Sequence, residues 1–239
     1  MYTILCSAVG LLVFASSNEA GTVPSFQKCH VDDDACVLKS AQQVLPAFVA
    51  GIPEYNVQTL DPLNIETLDL STPNLKLILH DVHATGVEKC QLTKMSVKNL
   101  HLSGTAVCNL KMESKYEIDG KLLFLQIKGK GDSHVALKKL QVNADADLME
   151  VTGKDGEKHW KIQKFQHSYN LLEKSFIKMD NLFDGNAALS RAANELFASS
   201  PNDVLLELAP PLVDILAKIA AENVNHFFKA LSTDKITEP

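Results

Sequence analysis

Apolar residues recur along the chain at two periods, and the change of period divides it. Val37, Leu38, Ala41, Val44, Leu45 and Phe48 fall at helical spacing behind Asp33 and Asp34, either of which can cap a helix start. Pro46 lacks an amide hydrogen and would kink that helix or loosen its register, and Gly51 with Pro53 ends it. From Leu63 to about Met179 the period becomes two: Leu75, Leu77 and Leu79 stand on one side of Lys76 and Ile78, and Leu110, Met112 and Tyr116 share a face further on. Asp119-Gly120 predicts a hairpin turn between strands 111–118 and 121–128, and Gly129-Lys130-Gly131-Asp132 predicts the next break. Leu140, Val142, Ala144, Ala146 and Leu148 then alternate with polar residues, and a turn at 153–156 leads into Trp160, Ile162 and Phe165 in a strand that extends towards Ile177. Long strands joined by short turns predict an antiparallel meander, whose apolar face needs a partner.

The helical period returns at the other end. Residues 186–197 carry Leu189, Ala193, Leu196 and Phe197 on one side, and Ser199 to Asp203 offers a new helix start with Asn202 as its cap. Residues 204–231 then carry Leu205, Leu208, Leu212, Ile215, Leu216, Ile219, Val224, Phe227 and Phe228. Pro210 and Pro211 must bend or split this helix, since interior proline costs about 3 kcal/mol. Leu206 and Val213 widen its apolar surface beyond one stripe, as expected of a helix buried on more than one side. A sheet wrapped around it would bury it so.

Residues 1–15, MYTILCSAVGLLVFA, form an uncharged apolar leader too short to anchor in a bilayer. They are expected to be a signal peptide, with Ala20 as a later cleavage point, leaving residues 16–239 as a single domain. No later apolar run approaches membrane-spanning length, so stable membrane insertion is not expected. The net charge of −6, with no basic patch, argues against nucleic acid as a partner. The predicted destination is therefore secreted and extracellular, and the predicted assembly a monomer.

Beyond the leader stand Cys29, Cys36, Cys90 and Cys108, which permit three pairings. Cys29 and Cys36 can close a small loop at the start of the first helix. Cys90 and Cys108 lie in consecutive strand-like runs and either face one another across a ladder or pack as free thiols. No zinc-ligand spacing is present, and neither a metal nor a cofactor is expected. Nucleophile-elbow, zincin and phosphate-loop motifs are all lacking, so catalysis is not expected. In His80-Asp81-Val82-His83 strand alternation puts His80 and Asp81 on opposite faces, so these read as polar residues at the surface or a turn edge rather than a preassembled acid–base pair. His134, His159 and His167 are expected to face solvent or to be hydrogen-bonded.

Several segments together resemble the insect takeout and haemolymph juvenile-hormone-binding protein family. They are the Cys29/Cys36 pair, LPAFVAGIPEY from Leu45 to Tyr55, Asp61-Pro62-Leu63, NLFDGNAALSRAANELF from Asn181 to Phe197, ELAPPL from Glu207 to Leu212, and Asn223, Asn225, Phe227 and Phe228. The resemblance is to the takeout-like branch, because no cysteine follows Cys108 to supply the second disulfide of the hormone-binding members. It implies an α+β fold of the tubular lipid-binding class: a long C-terminal helix wrapped by a highly curved antiparallel sheet around an elongated hydrophobic tunnel. It also implies a Cys29–Cys36 disulfide, and a carrier of a small hydrophobic ligand such as a terpenoid, fatty acid or quinone. The residues placed near that ligand are Leu45, Phe48, Ile52 and Tyr55 from the first helix and its exit, and Leu212, Leu216, Ile219, Phe227 and Phe228 from the long helix. Tyr55 and His226 are its candidate polar contacts. The competing reading is a secreted interaction module with the same fold and a filled core.

Overall fold

The computed structural model describes residues 25–238; the expected signal peptide lies outside them. Helix α1 (Asp34–Ala50) starts where the Asp33 carboxylate accepts the Cys36 amide at 3.0 Å, and runs through Pro46 to Gly51. Gly51 has φ +91°, and a Cβ there would stand 3.0 Å from the Thr59 amide, so the helix exit requires glycine.

Seven antiparallel strands follow: β1 (Leu63–Asp69), β2 (Leu75–Thr85), β3 (Gln91–Lys98), β4 (His101–Leu122), β5 (Leu125–Thr152), β6 (Lys158–Leu171) and β7 (Phe176–Met179). They form one sheet in the order β1-β2-β4-β5-β6. Two strands are long enough to hold different neighbours along their length. β4 pairs with β3 near its start and with β2 near its end, while β5 pairs with β7 early and β6 late. Extra residues interrupt the ladders on β2 around Asp81, on β3 near Thr93, on β5 near Lys139 and on β6 near Gln163. Each bulge adds bend and twist, and together they curl strands of 22 and 28 residues that would otherwise splay.

Two predicted turns are strand interior. Asp119 and Gly120 pair with Lys128 and Ile127, and β4 turns into β5 only at Leu123-Phe124. The 129–132 segment likewise lies inside β5. The glycines there permit close approach rather than reversal. A Cβ on Gly120 would lie 2.5 Å from the Asn74 carbonyl, and one on Gly131 would lie 2.4 Å from that of Asp180. The predicted turn at 153–156 is present, whereas the strand expected to extend to Ile177 stops at Leu171 and resumes as β7.

Helix α2 (Ala187–Ser199) is capped by Asn186, whose side-chain Oδ1 accepts the Ala188 and Leu189 amides, and buries Ala193 and Phe197. Helix α3 (Pro201–Ala230) lies along the inner face of the sheet, and a short helix α4 (Thr233–Ile236) ends the described chain. Of the two outcomes expected at Pro210 and Pro211, a bend or a split, the split does not occur, and α3 runs on as one helix through both. The carbonyls they leave unbonded are those of Leu206 and Glu207, both exposed, where water can satisfy them. Asn202 is not the cap either. Ser200 holds that position, and the Asn202 side chain instead accepts the Ser175 amide at 2.9 Å and donates to the Glu173 carbonyl at 3.0 Å. Both disulfides, Cys29–Cys36 and Cys90–Cys108, are formed. The second resolves the alternatives open in the sequence, with Cα atoms 4.4 Å apart beside the β3–β4 ladder.

Gly131→Ala is expected to cost about 1–3 kcal/mol in chemical denaturation, because the Asp180 backbone resists the added carbon. Gly156→Ala meets open space and only the strain of φ +82°, about 1–2 kcal/mol. Equal, negligible losses would show that the β5–β7 approach is looser than described.

Candidate functional site

The concave face of the sheet is apolar by alternation, and α3 covers it without filling it. A first chamber of about 130 Å³ lies beside the N-terminal half of α3. Leu77 and Leu79 of β2, Val135 and Leu137 of β5, Tyr169 and Leu171 of β6, Ile177 and Met179 of β7, and Leu205, Leu208, Leu212 and Leu216 of α3 line it. Apolar cavities of ~150 Å³ stay dry and accept small hydrocarbons, so this space suits apolar matter rather than water. A second chamber of about 310 Å³ lies beside the C-terminal half of α3. Its walls come from α1 (Val37, Val44, Leu45, Phe48), β3 (Leu92, Met95, Val97), Trp160, and Val224, Phe227 and Phe228. Both ends of the described chain contribute through Phe26, Val31 and Ile236. Phe227 is the hub of the aromatic packing, with Phe26, Phe48 and Tyr55 at 6.1, 5.9 and 6.1 Å, while Trp160 meets Phe228 edge-on at 5.6 Å.

Polar side chains fix α3 to its surroundings. Asn223, 1% exposed, takes the Gln58 amide at 3.0 Å and gives to the Gln58 carbonyl at 2.8 Å. Asn225 accepts the Ile162 amide at 2.8 Å, and His226 reaches the Asn56 carbonyl at 2.6 Å. On α1, Gln42 accepts the Leu92 amide at 2.7 Å and donates to the Cys90 carbonyl at 3.2 Å, clamping the helix to β3. The chain ends are joined by the Glu238 amide on the Cys29 carbonyl at 3.0 Å and by Lys28 on the Asp234 carbonyl at 2.6 Å.

The end of α3 rests on His159. Its ring, 4% exposed, sits 3.0 Å from the Phe228 carbonyl through Nδ1 and 3.0 Å from Asp155 through Nε2. Burial works against the ring's charge, but the Phe228 carbonyl and the Asp155 carboxylate outweigh it, and the pKa is raised. Tyr116, 1% exposed, donates to the Asp180 carbonyl at 2.6 Å, and burial, helped by the Asp180 charge, pushes its phenol up to about 12. Both groups are turned to backbone carbonyls. His80, Asp81 and His83 are separate, since Asp81 pairs with Lys115 at 2.7 Å and His83 meets Asn64 at 2.7 Å. Among the described residues no cluster of three or more His, Cys, Asp or Glu is arranged to hold a metal ion.

The sequence-predicted ligand residues divide three ways. Leu45, Phe48, Phe227 and Phe228 line the second chamber, and Leu212 and Leu216 the first. Ile52, Tyr55, Ile219 and His226 line neither. Ile52 is wholly buried in the cluster around Phe227, Tyr55 packs on that ring from outside, and His226 spends its Nδ1 on Asn56. Sequence reasoning missed the sheet's contribution. The inward leucines of β2 and the residues Val135, Leu137, Met95 and Trp160 were legible as core, but periodicity does not distinguish core from cavity wall.

A long helix held in the concavity of an antiparallel sheet, with apolar chambers between the two, is the architecture of hydrophobic-ligand-binding proteins. The chain belongs to the haemolymph juvenile hormone binding protein family, whose profile matches residues 7–238. This is a family of hydrophobic-ligand binding and transport, and the resemblance seen in the sequence is correct. The circadian clock-controlled protein daywake of Drosophila yakuba is 24% identical over 227 residues, covering 88% of this chain and 87% of that one. A juvenile hormone-binding protein of Manduca sexta is 32% identical over 71 residues, 28% of this chain and 31% of its own. The crystal structure of Takeout 1 from Epiphyas postvittana superposes with a TM-score of 0.84 at 22% identity, covering 89% of this chain and 99% of that one, and has the same fold.

Because the His159 pKa is raised on folding, its stabilisation is full below about pH 6.5, the unfolded value, and fades as pH rises through the folded value. Denaturation from pH 5.5 to 8.5 is expected to show a stability difference between wild type and His159→Asn that shrinks with rising pH. A difference independent of pH would remove the charged ring from the anchoring of α3.

Proposed function

We propose that this protein is a secreted, monomeric carrier that takes up a small hydrophobic molecule between α3 and the sheet and releases it unchanged. The observation that carries the reading is the unfilled apolar space on both halves of α3, in an interior otherwise closed by aromatic and aliphatic packing. A filled-core interaction module has no use for such space. Export rests on the apolar leader at residues 1–15 and agrees with two disulfides, which persist in oxidising surroundings. No helix among the described residues is long and apolar enough to cross a membrane.

The walls set the ligand class. Burial of ~300 Å² of apolar ligand surface yields on the order of 7 kcal/mol, offset in part by lost freedom of motion, so a slender lipid can bind with few polar contacts. Fatty acids, terpenoids and quinones all meet this requirement. The Manduca relative, by its name a binder of juvenile hormone, favours the terpenoids among them. No chemical step is part of the reading.

Titration with palmitate, a juvenile hormone and a ubiquinone is expected to give saturable binding for at least one. Leu212→Trp fills the first chamber and Val224→Trp the second, and at least one of these folded variants is expected to lower affinity tenfold or more. Unchanged affinity in both variants would take the ligand out of the interior, and no saturable binding by any of the three would defeat the carrier reading.

A further inference from the structure

The hairpin joining β4 to β5 ends in four successive apolar residues, Leu122 to Leu125. Leu122 is wholly buried, and Leu123 and Leu125 are half-buried against the core cluster that contains it. Phe124 is 77% exposed, the most open of the large apolar side chains among the described residues, the next being Leu172 at 53%. Leu123 and Phe124 are the two-residue turn itself, and Leu123 has φ +54°. Such turns favour Gly, Asn or Asp, because most side chains are strained at positive φ and the short polar ones hydrogen-bond locally. The turn at the other end of β5 follows that preference, with Gly153-Lys154-Asp155-Gly156. Leu123 offsets part of its strain by packing inward, whereas Phe124 gains little burial from the protein.

The surroundings of the tip specify its partner. β4 runs two residues past the β1–β2 turn, where the Lys121 amide donates to the Asn74 carbonyl at 2.9 Å, and that turn, Ser71 to Asn74, is uncharged. Lys121 is the charge nearest the tip along either strand, and the first carboxylates behind it are Asp119 on β4 and Asp132 on β5. Lys128 engages Asp119 at 3.5 Å and Lys76 engages Glu117 at 3.6 Å, which leaves Lys121 and Lys130 outside any ion pair among the described residues. The end of the hairpin is thus apolar and cationic in a chain of net charge −6. A stable protein interface covers about 800 Å² on each partner, far more than a ridge two residues wide presents. A lipid surface needs no matching shape. It buries an aromatic ring at the boundary of headgroups and acyl chains, while lysine stems carry their ammonium groups to the phosphates.

Resting on the carrier reading, which requires a source and a destination for a water-insoluble molecule, we infer that the β4–β5 tip docks the protein reversibly on a phospholipid bilayer. Phe124 enters the interface, and Lys121 and Lys130 face the headgroup phosphates. One ring and two lysines give weak, salt-sensitive association rather than the stable insertion of a membrane span. Docking in this way brings the first chamber towards the lipid. Leu77 on its wall pairs with Ile118 near this end of β4, whereas Leu102 of the second chamber stands at the other end.

The test is co-sedimentation of the full protein, without added ligand, with vesicles of phosphatidylcholine alone or with about one-third phosphatidylserine. Wild type is expected to bind both, the anionic vesicles more tightly, and to lose that difference as salt is raised. Phe124→Ser is expected to lower binding to both about fivefold or more, and Lys121→Glu to lower it mainly on the anionic vesicles. Both residues are exposed, so the thermal midpoints of these variants should match wild type. Phe124→Trp should restore binding, with tryptophan emission moving to shorter wavelength when vesicles are added. Wild type that ignores both vesicles would overturn the docking and give the tip to a protein partner. Phe124→Ser that binds as well as wild type would overturn it too. The palmitate, juvenile hormone and ubiquinone titrations use no vesicles, so the two readings fail separately. A protein that binds one of those ligands but no vesicle loses the docking alone. One that docks through Phe124 but binds none of them keeps the docking and loses the carrier reading.

Discussion

One helix has to cover the apolar concave face of a seven-stranded sheet, and every other feature follows from the mismatch between the two. A helix with its side chains is about 10–12 Å across. The curl of β4 and β5, driven by their bulges, leaves a trough that α3 covers at its middle and leaves open on both halves. The two buried clusters reflect this division. One gathers β2, β4, β5 and β7 around α2 and the start of α3, and the other gathers α1, β3 and Trp160 around its end.

Holding a helix against unfilled space needs fixed attachments, because dispersion contacts are missing where the walls stand apart. The chain supplies them as hydrogen bonds from side chains of α3 to backbone, through Asn202, Asn223, Asn225 and His226, and as the His159 ring on the Phe228 carbonyl. These bonds have defined lengths and directions, so they set where the helix sits without demanding that the interior be full. The same logic explains why the two ends of the described chain meet beside the second chamber. The Cys29–Cys36 bridge and the contact of residue 29 with residues 237 and 238 close that wall without occupying the space behind it.

Much of this was legible in the sequence. The switch of period near Leu63, the cap at Asp33, the exit at Gly51 and the broad apolar surface of residues 204–231 each follow from local stereochemistry, and each is present. The errors share a cause. Gly120, Gly129 and Gly131 look like turn residues because glycine frees the backbone, yet two of them serve to let Asn74 and Asp180 approach, partners 46 to 49 residues away in sequence. Asn202 looks like a cap because its side chain accepts hydrogen bonds, and it does so, but from a distant strand lead-in. The chambers were least legible. Leu216 and Leu79 have the same signature in the sequence whether they touch a neighbour or face a gap, and the gap is a property of how sheet curvature compares with helix width.

The central claim is that the interior is built to hold an apolar guest. The most direct measurement is mass spectrometry of an organic-solvent extract of the mature protein purified from its native tissue, set against a mock purification. The account predicts a stoichiometric lipid or terpenoid found only with the protein. An extract containing none, from protein that also refuses such molecules when they are offered in solution, would contradict it.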